Sequence, residues 1–130
     1  MTYLVDTDWT ADYLKGRANA VKLLTDLASV GLAISLITFG EIYEGLYYGS
    51  DFSRHEKVFL AFLRDVDILQ LSEEIMQEFA RIRGQLRATG KIIGDFDLLI
   101  AATAINHSFT LVTRNLAHFE RVPGLSIYRS

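Results

Sequence analysis

Five short apolar runs along the chain predict β-strands. Each run is mainly apolar and rich in Leu, Ile or Val, which is typical of strands buried on both faces of a parallel sheet. The predicted strands are Tyr3 to Val5, Leu32 to Ile37, Val66 to Leu71, Thr110 to Val112 and Leu125 to Tyr128.

The segments between these runs predict helices, and most of them begin with a capping residue. The predicted helices run from a cap at Asp8 to about Lys15, from Arg17 to Ser29, from the capping box Thr38-Phe39-Gly40-Glu41 to about Tyr48, from a second box at Ser53 to Leu63, from Glu73 to Ala88 after Ser72, and from Phe96 to Asn106 after Asp95.

Alternating strands and helices favour an α/β fold. We expect a three-layer sandwich, in which helices flank a mostly parallel central sheet of about five strands. No linker or low-complexity tract divides the chain, so a single domain over residues 1–130 is predicted. In such sheets, ligands bind at the carboxyl ends of the strands.

The amino-acid composition excludes several classes of function. The chain has no cysteine, which excludes thiol catalysis and cysteine-bound zinc. Its 13 basic and 16 acidic residues give a net charge of −3, which argues against indiscriminate nucleic-acid binding. Because no apolar run approaches the ~20 residues that span a bilayer and no basic leader precedes Asp6, we expect a cytoplasmic protein without membrane contact.

Acidic and amide side chains fall near the predicted carboxyl ends of the strands. Asp6 directly follows the first predicted strand, Asn115 comes shortly after the strand that begins at Thr110, Glu41 lies one turn into a helix, and Asp97 lies in the first turn of another. Glu41 could merely complete a capping box, and Asp97 could merely complement the helix dipole. A purely structural role of this kind explains Asp6 less well, because a carboxylate after a buried strand must be solvated, paired or bound to metal.

Convergent carboxylates repel one another and are therefore expected to hold a cation. Oxygen ligands favour Mg²⁺, with Mn²⁺ as the second choice. The three histidines, His55, His107 and His118, are dispersed and predicted to be surface residues. Since metals held by carboxylates commonly serve phosphoryl transfer, the leading hypothesis is a nuclease.

Four sequence blocks resemble PIN-domain ribonucleases, and most closely the VapC-type toxins of bacterial and archaeal toxin–antitoxin pairs. The third block, an Asp followed by an Ile-Ala-Ala helix, is the most specific. The blocks are Leu4 to Thr7, Ile34 to Ile42, Gly94 to Ala104, and Leu111 to Asn115 with the following Phe119 to Val122 and Gly124-Leu125.

The resemblance implies a metal-dependent endoribonuclease. Asp6 and Asp97 would be direct Mg²⁺ ligands, while Glu41 would bind the metal or orient water. Asn115 occupies a place where members often carry a fourth acidic residue, and it could hydrogen-bond a ligand carboxylate or the metal water. Thr7 matches the small hydroxyl residue that often follows the first Asp, and it is a candidate for contact with substrate phosphate.

Basic residues suggest where RNA could bind. Arg114 lies beside the predicted site, and its guanidinium can hold phosphate oxygens bidentately. Arg81, Arg83, Arg87 and Lys91 cluster on one predicted helix, where an RNA track and an ordinary solvated face are equally good interpretations. Single-stranded loops are the expected RNA target.

The resemblance also implies partners: a homodimer, and a VapB-like antitoxin that forms a hetero-oligomer with the toxin and covers the acidic groove. The aromatic residues Phe39, Tyr43, Tyr47 and Tyr48 could form part of that groove or belong to the core.

Two other hypotheses remain. One is a PIN fold without catalytic activity that binds RNA or protein. The other is a receiver-like phosphoacceptor domain, for which Asp6-Thr7-Asp8 is a poor acidic pair and no lysine follows Arg114.

Overall fold

The computed structural model describes residues 2–129, and within them it contains four strands and seven helices. In chain order these are β1 (Tyr3–Val5), α1 (Thr7–Leu14), α2 (Ala18–Ala28), β2 (Leu32–Ser35), α3 (Leu36–Tyr47), α4 (Phe52–Leu63), β3 (Val66–Leu69), α5 (Glu73–Ala88), α6 (Asp95–His107), β4 (Thr110–Val112) and α7 (Leu116–Phe119). In this part of the chain, no helix has the length and apolar character needed to cross a membrane.

The four strands form one parallel sheet in the order β3-β2-β1-β4. Since β1 lies between β2 and β4, the ends of these three strands meet at one edge of the sheet. Helices cover both faces, so the predicted α/β three-layer sandwich is confirmed. The expected fifth strand is reduced to a single parallel bridge between Leu111 and Ile127, next to the outer edge of β4.

Alternate residues of β1 and β4 enter two separate cores, which explains why both faces of these strands are buried. Leu4 and Leu111 pack with residues of α5 and α6 on one face of the sheet. Val5 and Val112 pack with residues of α2, α3 and α4 on the other face, where Phe59 is fully buried. Strands with two apolar faces are expected of a sheet covered by helices on both sides.

The start of α3 differs from the predicted capping box. The helix begins at Leu36, and its N-cap is Ser35, whose Oγ accepts a hydrogen bond from the backbone N–H of Thr38 at 3.0 Å. Strand β2 therefore ends at Ser35 rather than Ile37. Glu41 consequently lies inside the helix and is not a capping residue, which removes the alternative explanation for its presence.

Other helix starts also differ from the sequence prediction. Helix α1 is capped by Asp6 instead of Asp8, because the Asp6 side chain accepts from the N–H of Thr7. Gly94 is the N-cap of α6, so Asp95 is its first residue. Helix α4 begins at Phe52, without a side-chain cap. Helix α7 was not predicted, and β3 ends at Leu69, two residues before the predicted limit.

Candidate active site

Asp6 forms the centre of a buried polar site at the end of β1. Its side chain is held between two donors: the N–H of Thr7 reaches Oδ1 at 2.8 Å, and the hydroxyl of Thr113 reaches Oδ2 at 2.7 Å. Asp6 is only 5% exposed, which is unusual for a carboxylate. No basic side chain in residues 2–129 forms an ion pair with it.

Burial raises the pKa of Asp6 from 3.8 to about 6, because removing the carboxylate from water disfavours its charged form. The hydrogen bonds from Thr113 and Thr7 oppose this change. The negative charges of Asp97 and Asp8 reinforce it, which shows that both lie close enough to interact with Asp6.

Asn115 links Asp97 to Thr113, which in turn hydrogen-bonds to Asp6. The backbone N–H of Asn115 donates to Thr113 Oγ1 at 3.0 Å, and its Nδ2 donates to Oδ2 of Asp97 at 3.4 Å. Asn115 Nδ2 also lies 2.9 Å from Nδ1 of His118, and Asp97 Oδ2 lies 3.6 Å from that nitrogen. Asn115 thus positions the Asp97 carboxylate by a direct hydrogen bond. A hydrogen bond to a carboxylate of the site was one of the two roles predicted for Asn115.

Glu41 joins the site through hydroxyl groups. Its Oε1 accepts from Thr7 Oγ1 at 2.7 Å, and Thr7 Oγ1 lies 3.0 Å from Thr38 Oγ1. Ser35 donates in turn to Thr38 at 3.4 Å. In residues 2–129 no hydrogen bond reaches Oε2 of Glu41, so this oxygen remains available to a water molecule or a substrate.

All four residues predicted for the site therefore belong to one hydrogen-bonded arrangement around the end of β1. However, no group of three or more His, Asp or Glu side chains among the described residues is close enough to hold one ion. Asp97 interacts electrostatically with Asp6, whereas Glu41 is connected to the site through the hydroxyl of Thr7.

This arrangement fits a hard divalent cation. The available donors are oxygen atoms, and Asp6 carries an uncompensated buried charge that the neighbouring Asp97 disfavours further. Mg²⁺ is commonly bound through one or two carboxylates while it retains several waters. Asp6 and Asp97 could hold such an ion, with Glu41 reaching it through water.

Arg114 lies beside the site, but it is engaged elsewhere. Its Nη2 donates to Asp12 at 2.8 Å, and its guanidinium carbon lies 3.7 Å from the centroid of the Trp9 ring. Both contacts hold Arg114 against α1. A role in phosphate binding would require it to leave them.

The remaining basic and aromatic candidates are divided between several environments. Arg81 pairs with Glu78, and Arg83 pairs with Asp95, which favours a solvated face for this side of α5. Asp95 is therefore explained by its ion pair with Arg83.

Phe39 and Tyr43 pack with Phe59 in the core. Tyr47 and Tyr48 are 68% and 88% exposed.

Thr113 was not among the predicted site residues, and His118 was predicted to be a surface residue. Thr113 bridges Asp6 and Asn115 and is buried, whereas His118 is half-exposed beside Asp97. The position of Thr113 immediately after a buried strand is the same signal that identified Asp6. No comparable signal marks His118, because the short helix α7 that presents it was not predicted.

The chain is similar to known proteins over most of its length. The chain matches the PIN domain over residues 3–125. Ribonuclease VapC1 from Methanocaldococcus jannaschii is 40% identical over 129 residues, covering 96% of this chain and 85% of that protein. The tRNA(fMet)-specific endonuclease VapC of Salmonella typhimurium is 26% identical, covering 98% of this chain and 96% of that protein. A crystal structure of VapBC2 from Rickettsia felis, bound to a DNA fragment from their promoter, has a TM-score of 0.91 and 30% identity, covering 98% of both chains.

Proposed function

The chain belongs to the PIN-domain family, and from this membership we propose that it is an endoribonuclease acting as the toxin of a toxin–antitoxin pair. The observation that carries the proposal is the buried Asp6 carboxylate, held beside Asp97 at the end of the central strand. Membership of this family also excludes the hypothesis of a receiver-like phosphoacceptor domain.

We propose that Asp6 and Asp97 are direct ligands of Mg²⁺, or of Mn²⁺ in its place. Bound there, the cation would polarise the scissile phosphate and lower the pKa of a bound water. Thr7 and Thr113 fix the orientation of Asp6 through their hydrogen bonds, and Asn115 does the same for Asp97.

Glu41 is proposed to position the attacking water. Its Oε1 is held by the Thr7 hydroxyl, which leaves Oε2 to accept a hydrogen bond from that water. Water attacks the phosphorus atom, and one ester oxygen leaves with a proton, so the products are a phosphate monoester and a hydroxyl end. This arrangement hydrolyses the phosphodiester bond without a covalent enzyme intermediate.

A small antitoxin is the proposed partner, since the relatives include VapC proteins and a solved VapBC2 assembly. A cationic side chain from such a partner would compensate the buried charge of Asp6 and the adjacent charge of Asp97. It would thereby compete with the metal. We also propose a homodimer.

Cleavage of total RNA by the purified protein tests the activity. We expect fragments with Mg²⁺ or Mn²⁺ and none after EDTA is added. Asp97→Asn should leave the protein folded but reduce the cleavage rate. The reduction should exceed the ~10–100-fold loss that is typical when a residue hydrogen-bonded to a metal ligand is replaced.

Glu74→Gln is the matched control, because Glu74 also begins a helix but lies on α5 away from the site. Both substitutions lose a first-turn carboxylate, worth about 0.3–1 kcal/mol of helix stability. If Asp97→Asn cut RNA as fast as Glu74→Gln, the site assignment would be wrong. Wild-type protein inactive with every metal tested would support the PIN fold as a binding module.

A further inference from the structure

Three consecutive residues after β4 are attached to three different parts of the molecule. Thr113 donates a hydrogen bond to Asp6 at the end of β1. Asn115 donates to Asp97 in the first turn of α6. Arg114, the residue between them, contacts helix α1 instead. We call these three residues the β4–α7 loop. It carries two side chains that orient the proposed metal ligands, and the arginine between them has no role in the proposed hydrolysis.

Two contacts hold Arg114 against α1. Its Nη2 donates to Oδ2 of Asp12 at 2.8 Å, and its guanidinium carbon lies 3.7 Å from the centroid of the Trp9 ring, which is cation–π geometry. The other oxygen of Asp12, Oδ1, lies 3.3 Å from Nε of Arg17. The side chains of Arg114 and Asp12 are 37% and 24% exposed, so water screens their ion pair only partly. The guanidinium is therefore fixed between a ring and a carboxylate of the same helix.

The β4–α7 loop is attached to α1 at a second point, where the helix begins. Asp6 is the N-cap of α1, and it accepts the hydrogen bond from Thr113. Asp6 and Asp12 lie about 9 Å apart along the helix, from the rise of 1.5 Å per residue. One attachment alone would let the loop rotate about it, whereas two attachments fix the orientation of the loop relative to Asp6.

We infer that Arg114 is a positioning residue of the metal site. By holding the β4–α7 loop on α1, it keeps Thr113 and Asn115 where they orient Asp6 and Asp97, and it contacts neither the metal nor RNA. Partners that orient metal ligands typically change metal affinity by ~10–100-fold when they are removed. Arg114 acts through such partners, so we expect a smaller loss of about threefold to tenfold. The inference rests on the proposed function, since it requires a cation at Asp6 and Asp97.

Binding of Mn²⁺ to the protein without RNA tests this inference, and electron paramagnetic resonance of the free ion measures it. Arg114→Gln should weaken Mn²⁺ binding about threefold to tenfold. The sign of this change is diagnostic, because removing a positive charge beside an acidic site would by itself strengthen the binding of a cation. A loss of affinity in the folded variant therefore comes from the altered position of the ligands.

Asp12→Ala breaks the same contact from the side of α1 and changes the charge in the opposite direction. It should weaken Mn²⁺ binding by a similar factor. The double variant with Arg114→Gln should bind Mn²⁺ about as well as the weaker single variant, because both changes remove one interaction.

Arg17→Gln is the matched control, because Arg17 pairs with the same Asp12 carboxylate and carries the same charge as Arg114. Within residues 2–129, it forms no hydrogen bond or ion pair with the β4–α7 loop. Its replacement should change Mn²⁺ affinity by less than about twofold, since an exposed ion pair contributes little.

Trp9 reports the contact with Arg114 directly, because it is the only tryptophan in the sequence. Its fluorescence emission should change in Arg114→Gln and stay as in the wild type in Arg17→Gln. Thermal melts establish that all the variants fold.

Two results would overturn the inference: Mn²⁺ affinity of folded Arg114→Gln equal to or above that of the wild type, or unchanged Trp9 emission in that variant. Unchanged Mn²⁺ affinity with weaker binding of a labelled hexauridylate in EDTA would assign Arg114 to phosphate contact with RNA instead. Wild-type protein that binds no Mn²⁺ would reject the proposed metal site. Normal binding by the wild type and by Arg114→Gln rejects the positioning role alone.

Discussion

Replacing Asp6 with Asn should stabilise the metal-free protein at neutral pH and lose that effect in acid. The folded protein holds the Asp6 carboxyl with a pKa of about 6, whereas its ordinary value is 3.8. Between these two pH values the folded state binds more protons than the unfolded state. The contribution of Asp6 to the free energy of unfolding therefore falls as pH rises through this window.

The size of the effect follows from the two pKa values. At 1.36 kcal/mol for each tenfold change in proton affinity, the charged Asp6 destabilises the fold by roughly 3 kcal/mol above pH 6. Asn removes this cost but can accept only one of the hydrogen bonds from Thr7 and Thr113, which loses about 1 kcal/mol. The net gain is about 2 kcal/mol at pH 8, or roughly 6–10 °C in Tm for a chain of this length.

Thermal melts in EDTA at pH 8 and pH 4 measure this difference. Asp6→Asn should melt above the wild type at pH 8 and no higher than it at pH 4. Asp67→Asn, an exposed change on β3, should shift the free energy of unfolding by less than ~0.5 kcal/mol at both pH values. Added Mg²⁺ should raise the Tm of the wild type more than that of Asp6→Asn, because ligands that bind only the folded state stabilise it. An Asp6→Asn protein that melts at or below the wild type at pH 8 would refute the reasoning.

Three further substitutions test the surroundings of the site. Thr113→Val removes the hydroxyl donor to Asp6 and should destabilise the protein by about 1–3 kcal/mol in denaturant melts at pH 8; an unchanged midpoint would contradict that hydrogen bond. Ser35→Ala removes the N-cap of α3 and should cost about 0.5–2 kcal/mol, which the same melts would detect. If the predicted cap at Thr38 were correct instead, Ser35→Ala would have almost no effect. Glu41→Gln keeps an acceptor for the hydroxyl of Thr7, so the variant should melt near the wild-type temperature. RNA cleavage should nevertheless slow by at least about tenfold, and normal cleavage would exclude Glu41 from the mechanism.

Local sequence signals were sufficient to predict the bounds of those strands and helices that depend on a single segment of the chain. Tyr3–Val5 and Thr110–Val112 were predicted with the bounds that the structure shows, because each run is rich in apolar residues and a polar residue, Asp6 or Thr113, follows it. Helix α5 was also predicted with its observed bounds, since Ser72 caps it and Gly90 follows its end. The same signals failed at the start of α3, where the predicted cap was Thr38 and the observed N-cap is Ser35, three residues earlier.

The amino-acid sequence by itself determined the α/β fold and its parallel sheet, because periodicity and caps are properties of neighbouring positions. It also predicted the candidate site residues, from their places near the ends of strands and from the resemblance to PIN-domain ribonucleases. Tertiary structure alone decided how those residues meet. It set Thr113 between Asp6 and Asn115, tied Glu41 to Thr7, and turned Arg114 towards Asp12. The physical reason is that the contacts of Asp6 with Thr113, of Glu41 with Thr7 and of Arg114 with Asp12 each join side chains that lie far apart in the sequence. Such contacts depend on strand order and helix packing, which no single segment of the sequence encodes.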